Sequence, residues 1–207
     1  MPKIANRNIP LLVGLVLTAL FLLVALFGPN LATYDPMRVF NELVEVNGQQ
    51  RYPSRNPVPP LAAPEFPLGT DNAGRDLLTR LLYAVRPTLI LCFVIAALRI
   101  TIGVLLGLVA GWFGGLAERV IDVLTGASLA IPILIFALAV ISFLGEPTLS
   151  TFIVALVATG WANTAVFVKN ATLVTKQLPY IEGARAVGVR PWGILRRYIM
   201  PQLWPTL

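Results

Sequence analysis

Histidine is absent from the 207 residues, and cysteine occurs once, as Cys92 within an apolar run. No disulfide framework, Cys/His zinc site or His-based triad can be built from such a chain. Charge is scarce too. Only 13% of residues are Asp, Glu, Lys or Arg, where a soluble domain carries about 25%. Acids are the rarer sign, 10 against 16 Lys and Arg, and none clusters with a nucleophile, so no catalytic residues are assigned. Apolar residues fill the space: 57% of the chain is hydrophobic and the mean hydropathy is +0.77. A soluble core has no use for that much apolar surface, so the bilayer is the natural solvent. A net charge of +6 raises the question of a nucleic-acid partner. None is expected, because the basic residues are not massed on one polar domain, and basic cytoplasmic loops on a hydrophobic chain follow the positive-inside rule.

Four segments can cross a hydrocarbon core of about 30 Å at about 1.5 Å per residue. Residues 10–27 are uncharged, follow Lys3 and Arg7, and precede no clean A-x-A site. They read as a retained signal-anchor helix, not a cleaved signal. Residues 87–111 carry one charge, Arg99; residues 121–144 begin with Asp122 and contain Pro132; residues 149–168 complete the set. The expected class is an all-α polytopic membrane protein, with a three-span core over 87–168. Beyond it, Lys169, Lys176, Arg185, Arg190, Arg196 and Arg197 face one acid, Glu182, whereas 28–86 balances 6 Arg with 6 acids. The basic segment 169–207 should therefore be cytoplasmic, residues 1–9 cytoplasmic as well, and 28–86 outside.

The outer segment divides in two. Residues 28–67 are proline-rich and should be mostly irregular. Residues 71–86 predict an amphipathic helix, capped by Asp71 or Thr70. Leu77, Leu78, Leu81 and Leu82 form one face, and Arg75, Asp76, Thr79 and Arg80 the other. Such a helix would lie on the outer membrane surface or against its own bundle. Asp71 and Asp76 can be read as an acid pair or a cation site. Asp71 as a cap and Asp76 as a surface residue is the blander account and is preferred.

Inside the spans, polar signals are few. Arg99, near mid-span, needs a partner or water. It either lines a translocation path and meets an anionic substrate group, or pairs with a partner subunit's acid or with backbone carbonyls. Gly103, Gly107 and Gly111 recur every four residues, a spacing that lets helix backbones approach. Pro132 should kink the third span, as a hinge or as static packing. Asn163 and Thr164 suit interhelical hydrogen bonds.

Residues 169–205 are too polar to span. A helix should run from about Thr172 to Val187. Gly188 is suited to the left-handed turn that ends it. A second helix should open at Pro191 and run to about Met200 before Pro201 ends it. Taken bare, this hairpin could touch lipid headgroups alone. Its abrupt turn and central Glu182 point instead to a protein partner.

The string Tyr180-Ile181-Glu182-Gly183-Ala184-Arg185-Ala186-Val187-Gly188, closing at Met200-Pro201, resembles the EAA loop of ABC importer permeases. Glu182, Ala184 and Gly188 match that motif; Gly183 replaces its middle Ala and Met200 its Leu. Phe66-Pro67-Leu68-Gly69-Thr70-Asp71-Asn72-Ala73-Gly74-Arg75-Asp76, followed by Leu82-Tyr83-Ala84-Val85-Arg86, resembles the pre-helix signature of the dipeptide/oligopeptide/nickel permeases. Within it, Gly69, Thr70, Asp71, Gly74, Arg75 and Asp76 carry the likeness. Gly111-Trp112-Phe113-Gly114-Gly115 is similar to the inner loop of that family, and Trp161 and Ala165 to the end of its fourth span. Val166 stands where the family often carries an Arg.

The resemblance implies a MetI-like ABC importer permease bundle of six spans, of which this sequence holds four. The sequence reaches Trp204-Pro205-Thr206-Leu207 where a fifth span would begin, so a truncated chain is expected. It also implies an inner-membrane importer of peptides, or of nickel complexes or other small solutes. Its partners would be a second permease subunit, two ABC ATPase subunits and an extracytoplasmic substrate-binding protein. No cofactor is expected on this chain; ATP and Mg would sit on the ATPases. Glu182, Gly183, Ala184, Arg185, Gly188 and Pro201 would dock the ATPase. Glu182 would face a basic or donor group there, and Arg185, Arg196 and Arg197 would pair with ATPase acids or lipid phosphates. The rival readings are a membrane-anchored enzyme working at its outer face, and a scaffold without transport. Co-purification of an ATPase and a sister permease separates them from a transporter.

Overall fold

A computed structural model describes residues 9–46, 48–146 and 148–203. Lys3, Arg7 and the segment 204–207, which bore on orientation and on a fifth span, lie outside the described residues. The chain divides into two compact units, 1–91 and 92–207.

The first unit opens with helix α1 (Ile9–Leu31), in which only Ala25 and Gly28 are buried. An apolar helix exposed all round is suited to lipid, not water. Gly28 marks its contact with the next helix: a Cβ there would stand 2.8 Å from the Leu82 carbonyl oxygen. A short antiparallel hairpin follows, β1 (Val44–Val46) on β2 (Gln49–Arg51), with Val44 opposite Arg51 and Val46 opposite Gln49. Val44 and Val46 join Phe40, Val58, Ala63 and Phe66 in a small core, with Tyr34 packed against it. Phe40 meets Tyr34 and Phe66 edge-on, at centroid distances of 4.9 and 4.8 Å.

Helix α2 (Leu77–Phe113) begins six residues later than the expected amphipathic helix 71–86, and it runs on without interruption through Pro87. The reason is a tight turn over 69–76. Gly69 and Gly74 adopt φ of +77° and +75°, conformations that oppose a right-handed helix. Thr70 exchanges hydrogen bonds with Val58, its amide donating to the Val58 carbonyl at 3.0 Å and its Oγ1 accepting from the Val58 amide at 2.9 Å. The two acids exchange the roles expected of them. Asp76 is the helix cap: it is buried, and its Oδ2 accepts from the Thr79 amide at 2.8 Å. Asp71 holds the turn. Its Oδ1 accepts from the Ala73 and Arg75 amides, both at 2.9 Å, and its Oδ2 accepts from Arg75 Nε at 3.0 Å and from Arg80. The helix faces are reversed as well: Thr79 is buried, whereas Leu77 and Leu81 are exposed. Lipid, not a protein core, is the environment that accepts those leucines.

Burial by itself would raise the Asp71 pKa; the Arg75 amide and guanidinium and the Ala73 amide outweigh it and hold the carboxyl below its usual range. A depressed folded pKa adds stability above the unfolded value, about 3.9, and that stability is lost as pH falls through the folded value. Asp71→Asn should therefore speed hydrogen exchange of the 70–76 amides at neutral pH. The gap from wild type should close in acid below about pH 3.9. A gap unchanged down to pH ~2 would contradict this origin of the turn's stability.

In the second unit, residues 92–113 continue α2. Helices α3 (Gly115–Ala130) and α4 (Ile133–Leu144) follow, then α5 (Leu149–Thr175). The expected third span is not one kinked helix. Its halves α3 and α4 are bent by 97° at the intervening break. Ile131, with ψ 128°, and Pro132, with ψ 125°, are both extended. Pro132 both removes a donor and drives the residue before it out of the helical region. Among the described residues three helices, α1, α2 and α5, are long and apolar enough to cross a membrane, and the bent pair makes a fourth crossing if counted as one.

The glycines of α2 set its distance from α5. A Cβ at Gly103 would lie 2.5 Å from Thr164 Cβ, one at Gly107 would lie 2.6 Å from the Ala165 carbonyl oxygen, and one at Gly111 would lie 2.7 Å from Thr172 Cβ. Gly107→Val should therefore cost about 1–3 kcal/mol through overpacking, read as a lower melting temperature in detergent. Gly126→Ala is the control, since nothing lies within 4 Å of a Cβ there; it should be neutral or slightly stabilising.

Candidate coupling site

The polar segment after α5 does not begin as a helix at Thr172. Helix α5 itself runs to Thr175, and Leu178 is extended (ψ 140°) ahead of Pro179. A residue before proline avoids the helical region, which forces the break. Helix α6 (Pro179–Ala186) then starts with proline in its first turn, where no amide donor is needed. Gly188 ends it at φ +80°. The Gly188 amide donates to the Arg185 carbonyl at 2.9 Å and the Val189 amide to that of Ala184 at 3.0 Å. This is the paired closure of a Schellman turn.

The chain reverses into helix α7 (Pro191–Ile194), again with proline at its start. It passes through a π-helical stretch, Leu195–Ile199, into helix α8 (Met200–Leu203). Pro201 does not end the helix, as the sequence suggested. The wider turn before it, in which the Met200 amide donates to the Leu195 carbonyl five residues back, changes the backbone register where a proline ring would otherwise meet the preceding turn.

One face of this helical hairpin is anchored. Ile181, Ala184, Ile194, Leu195, Ile199 and Leu203 share a core with Val104 and Leu108 of α2 and Val168 of α5. The other face is open: Glu182, Gly183, Arg185, Gly188, Trp192, Arg196, Arg197 and Pro201 are exposed. Of the residues expected to dock a partner, Ala184 alone is turned into the core. The Glu182 amide donates to the Leu178 carbonyl at 3.3 Å, but its carboxylate has no ion pair or hydrogen bond among the described residues.

Three ties went unseen in the sequence. The Arg185 guanidinium lies 4.6 Å from the Trp112 ring centroid, so this exposed cation rests on the end of α2. Lys176 Nζ donates to the Gly111 carbonyl at 2.8 Å, filling an acceptor left open at the C-terminal end of α2. Lys169 Nζ bonds both oxygens of Asp122, at 2.7 and 2.8 Å, and lies 3.4 Å from Glu118, joining α5 to α3. The i, i+4 spacing of Glu118 and Asp122 was the available signal.

Arg99 finds a backbone partner. Its Nε donates to the Leu156 carbonyl at 2.7 Å, its Nη2 donates to the same oxygen, and Nη2 also reaches Thr159 Oγ1 at 3.4 Å. Gly160 makes the room, because a Cβ there would collide with the guanidinium. Arg99 also borders an open cleft of about 390 Å³, lined in part by Cys92, Ile95, Ile100 and Thr164.

Several helices long and apolar enough to cross a membrane, followed by a polar hairpin anchored on α2 and α5, define a multi-pass membrane protein. Comparison with known proteins gives the particular family. The family model described as "binding-protein-dependent transport system inner membrane component" matches residues 103–207, and the chain belongs to that family. It is 37% identical to the glutathione transport system permease protein of Pectobacterium atrosepticum over 134 residues, 65% of this chain and 44% of that protein. It is 32% identical to the dipeptide transport system permease protein of Bacillus subtilis over 200 residues, 95% of this chain and 57% of that protein. The dipeptide permease of Haemophilus influenzae is 30% identical over 191 residues, 92% of this chain and 61% of that protein. The chain thus spans about half the length of the curated relatives it matches.

A double-mutant cycle on Arg185→Gln and Trp112→Leu should return an interaction of about 0.5–1 kcal/mol in thermal stability. Strictly additive losses would mean that ring and guanidinium do not interact.

Proposed function

We propose that this chain is a permease subunit of an ATP-driven, binding-protein-dependent importer of peptides, and that the hairpin 179–203 couples it to an ATPase. One observation carries the reading: the hairpin is fixed by its apolar face to the ends of α2 and α5 while its polar face, with Glu182 unpaired, stays open. The family description supports the importer, and the relatives' names, dipeptide and glutathione permeases, support the peptide class.

In this reading the hairpin and residues 1–9 are cytoplasmic, and 28–86 lie outside. Two ATPase subunits hold ATP and Mg, a sister permease forms the other half of the path, and a binding protein delivers substrate. Closure of the ATPases pushes on α6. Arg185 on Trp112 and Lys176 on the Gly111 carbonyl carry that push into α2, and the glycine contacts carry it on to α5. Coupling of this kind requires that the hairpin bind the two ATPase states unequally. For Arg99 we favour an internal tie between α2 and α5 over contact with a substrate carboxylate, because its Nε and Nη2 already donate to the Leu156 carbonyl.

Glu182→Lys should abolish stimulation of ATPase activity by the binding protein in reconstituted transporter, while the permease still assembles in the membrane. Stimulation equal to wild type would overturn the role given to Glu182.

A further inference from the structure

Beside the hairpin lies a groove of about 400 Å³ that is apolar throughout its accessible lining. Leu105, Val109 and Phe113 of α2 form one wall, all three exposed, and Pro191 and Trp192 of α7 form the other. Arg190 stands at its rim, exposed, its guanidinium without a partner among the described residues. We infer that this groove binds an anionic phospholipid, with one acyl chain along Leu105, Val109 and Phe113 and the phosphate on Arg190.

The position of the groove decides between occupants. Its α2 wall belongs to a helix long and apolar enough to cross a membrane, which favours lipid over a water-soluble ATPase at Leu105 and Val109. Its other wall is the first turn of the hairpin's second helix, so the groove runs from hydrocarbon to the headgroup layer. Charge supplies the selectivity. Between residues 176 and 203 the chain carries Lys176, Arg185, Arg190, Arg196 and Arg197 against Glu182 alone, and interfacial cations attract anionic lipids. An apolar protein segment in the same groove would leave Arg190 desolvated and unpaired. Trp192, exposed and amphipathic, suits the boundary between headgroups and hydrocarbon.

The test uses the full-length permease with its partner subunits in phosphatidylcholine nanodiscs doped with acyl-brominated lipid. The Trp192 signal is the emission of wild type minus that of Trp192→Phe. Brominated phosphatidylglycerol should quench it at about one-fifth the mole fraction that brominated phosphatidylcholine needs, the enrichment expected of one interfacial cation. Arg190→Gln should erase that preference and Arg190→Lys should keep it. Equal quenching by both lipids in wild type would overturn the inference, as would a preference that survives Arg190→Gln. Failure of both lipids to quench would overturn it too, by showing the groove covered by protein. None of these outcomes depends on whether Glu182 couples to an ATPase.

Discussion

The second unit rests on one steric constraint: the backbones of α2 and α5 must touch. In hydrocarbon no hydrophobic force drives helices together, so their association relies on packing and on hydrogen bonds that short distances permit. Gly103, Gly107 and Gly111 supply the short distance. The polar ties then come within reach. Arg99 meets the Leu156 carbonyl toward one end of the contact, and Lys176 meets the Gly111 carbonyl at the other. Neither bond would form if methyl groups held the helices apart. The closeness has a cost: Thr172 Oγ1 is buried opposite Gly111 with no hydrogen-bond partner among the described residues.

The same rule, that polar groups in an apolar setting must find partners, shapes the first unit by other means. There the family-like string from Gly69 to Asp76 is a knot of local hydrogen bonds that ends the irregular segment and starts α2. Asp71 gathers two amides and two guanidinium groups, and Asp76 caps the helix. The likeness to permease signatures at these positions is thus accounted for by folding, without assigning them a ligand.

Hydropathy was enough to find α1, α2 and α5, though not the sharp break between α3 and α4, and Gly188 with Pro191 was enough to find the hairpin. What stayed hidden depended on contacts remote in sequence. Asp71 and Asp76 both have the chemistry of a helix cap; Val58, bonded to Thr70, and the left-handed Gly74 decide between them. The contact of Arg185 with Trp112 could not be read because Trp112 lies far upstream. Pro132 announced a bend but not its size, since the residue before it had to leave the helix as well. Pro201 looked like a terminator because the π-helical stretch that accommodates it has no simple sequence signature.

The core beneath the hairpin joins segments made at different times. Val104 and Leu108 precede Ile194 and Ile199 by about ninety residues, which at ~5–20 residues per second is several to twenty seconds of synthesis. Throughout that interval the C-terminal half of α2 carries an apolar patch that the hairpin does not yet cover. Closing the hairpin is therefore a late step in biogenesis, and a ribosome stalled between α5 and α7 would leave spans in the bilayer with no platform at their end.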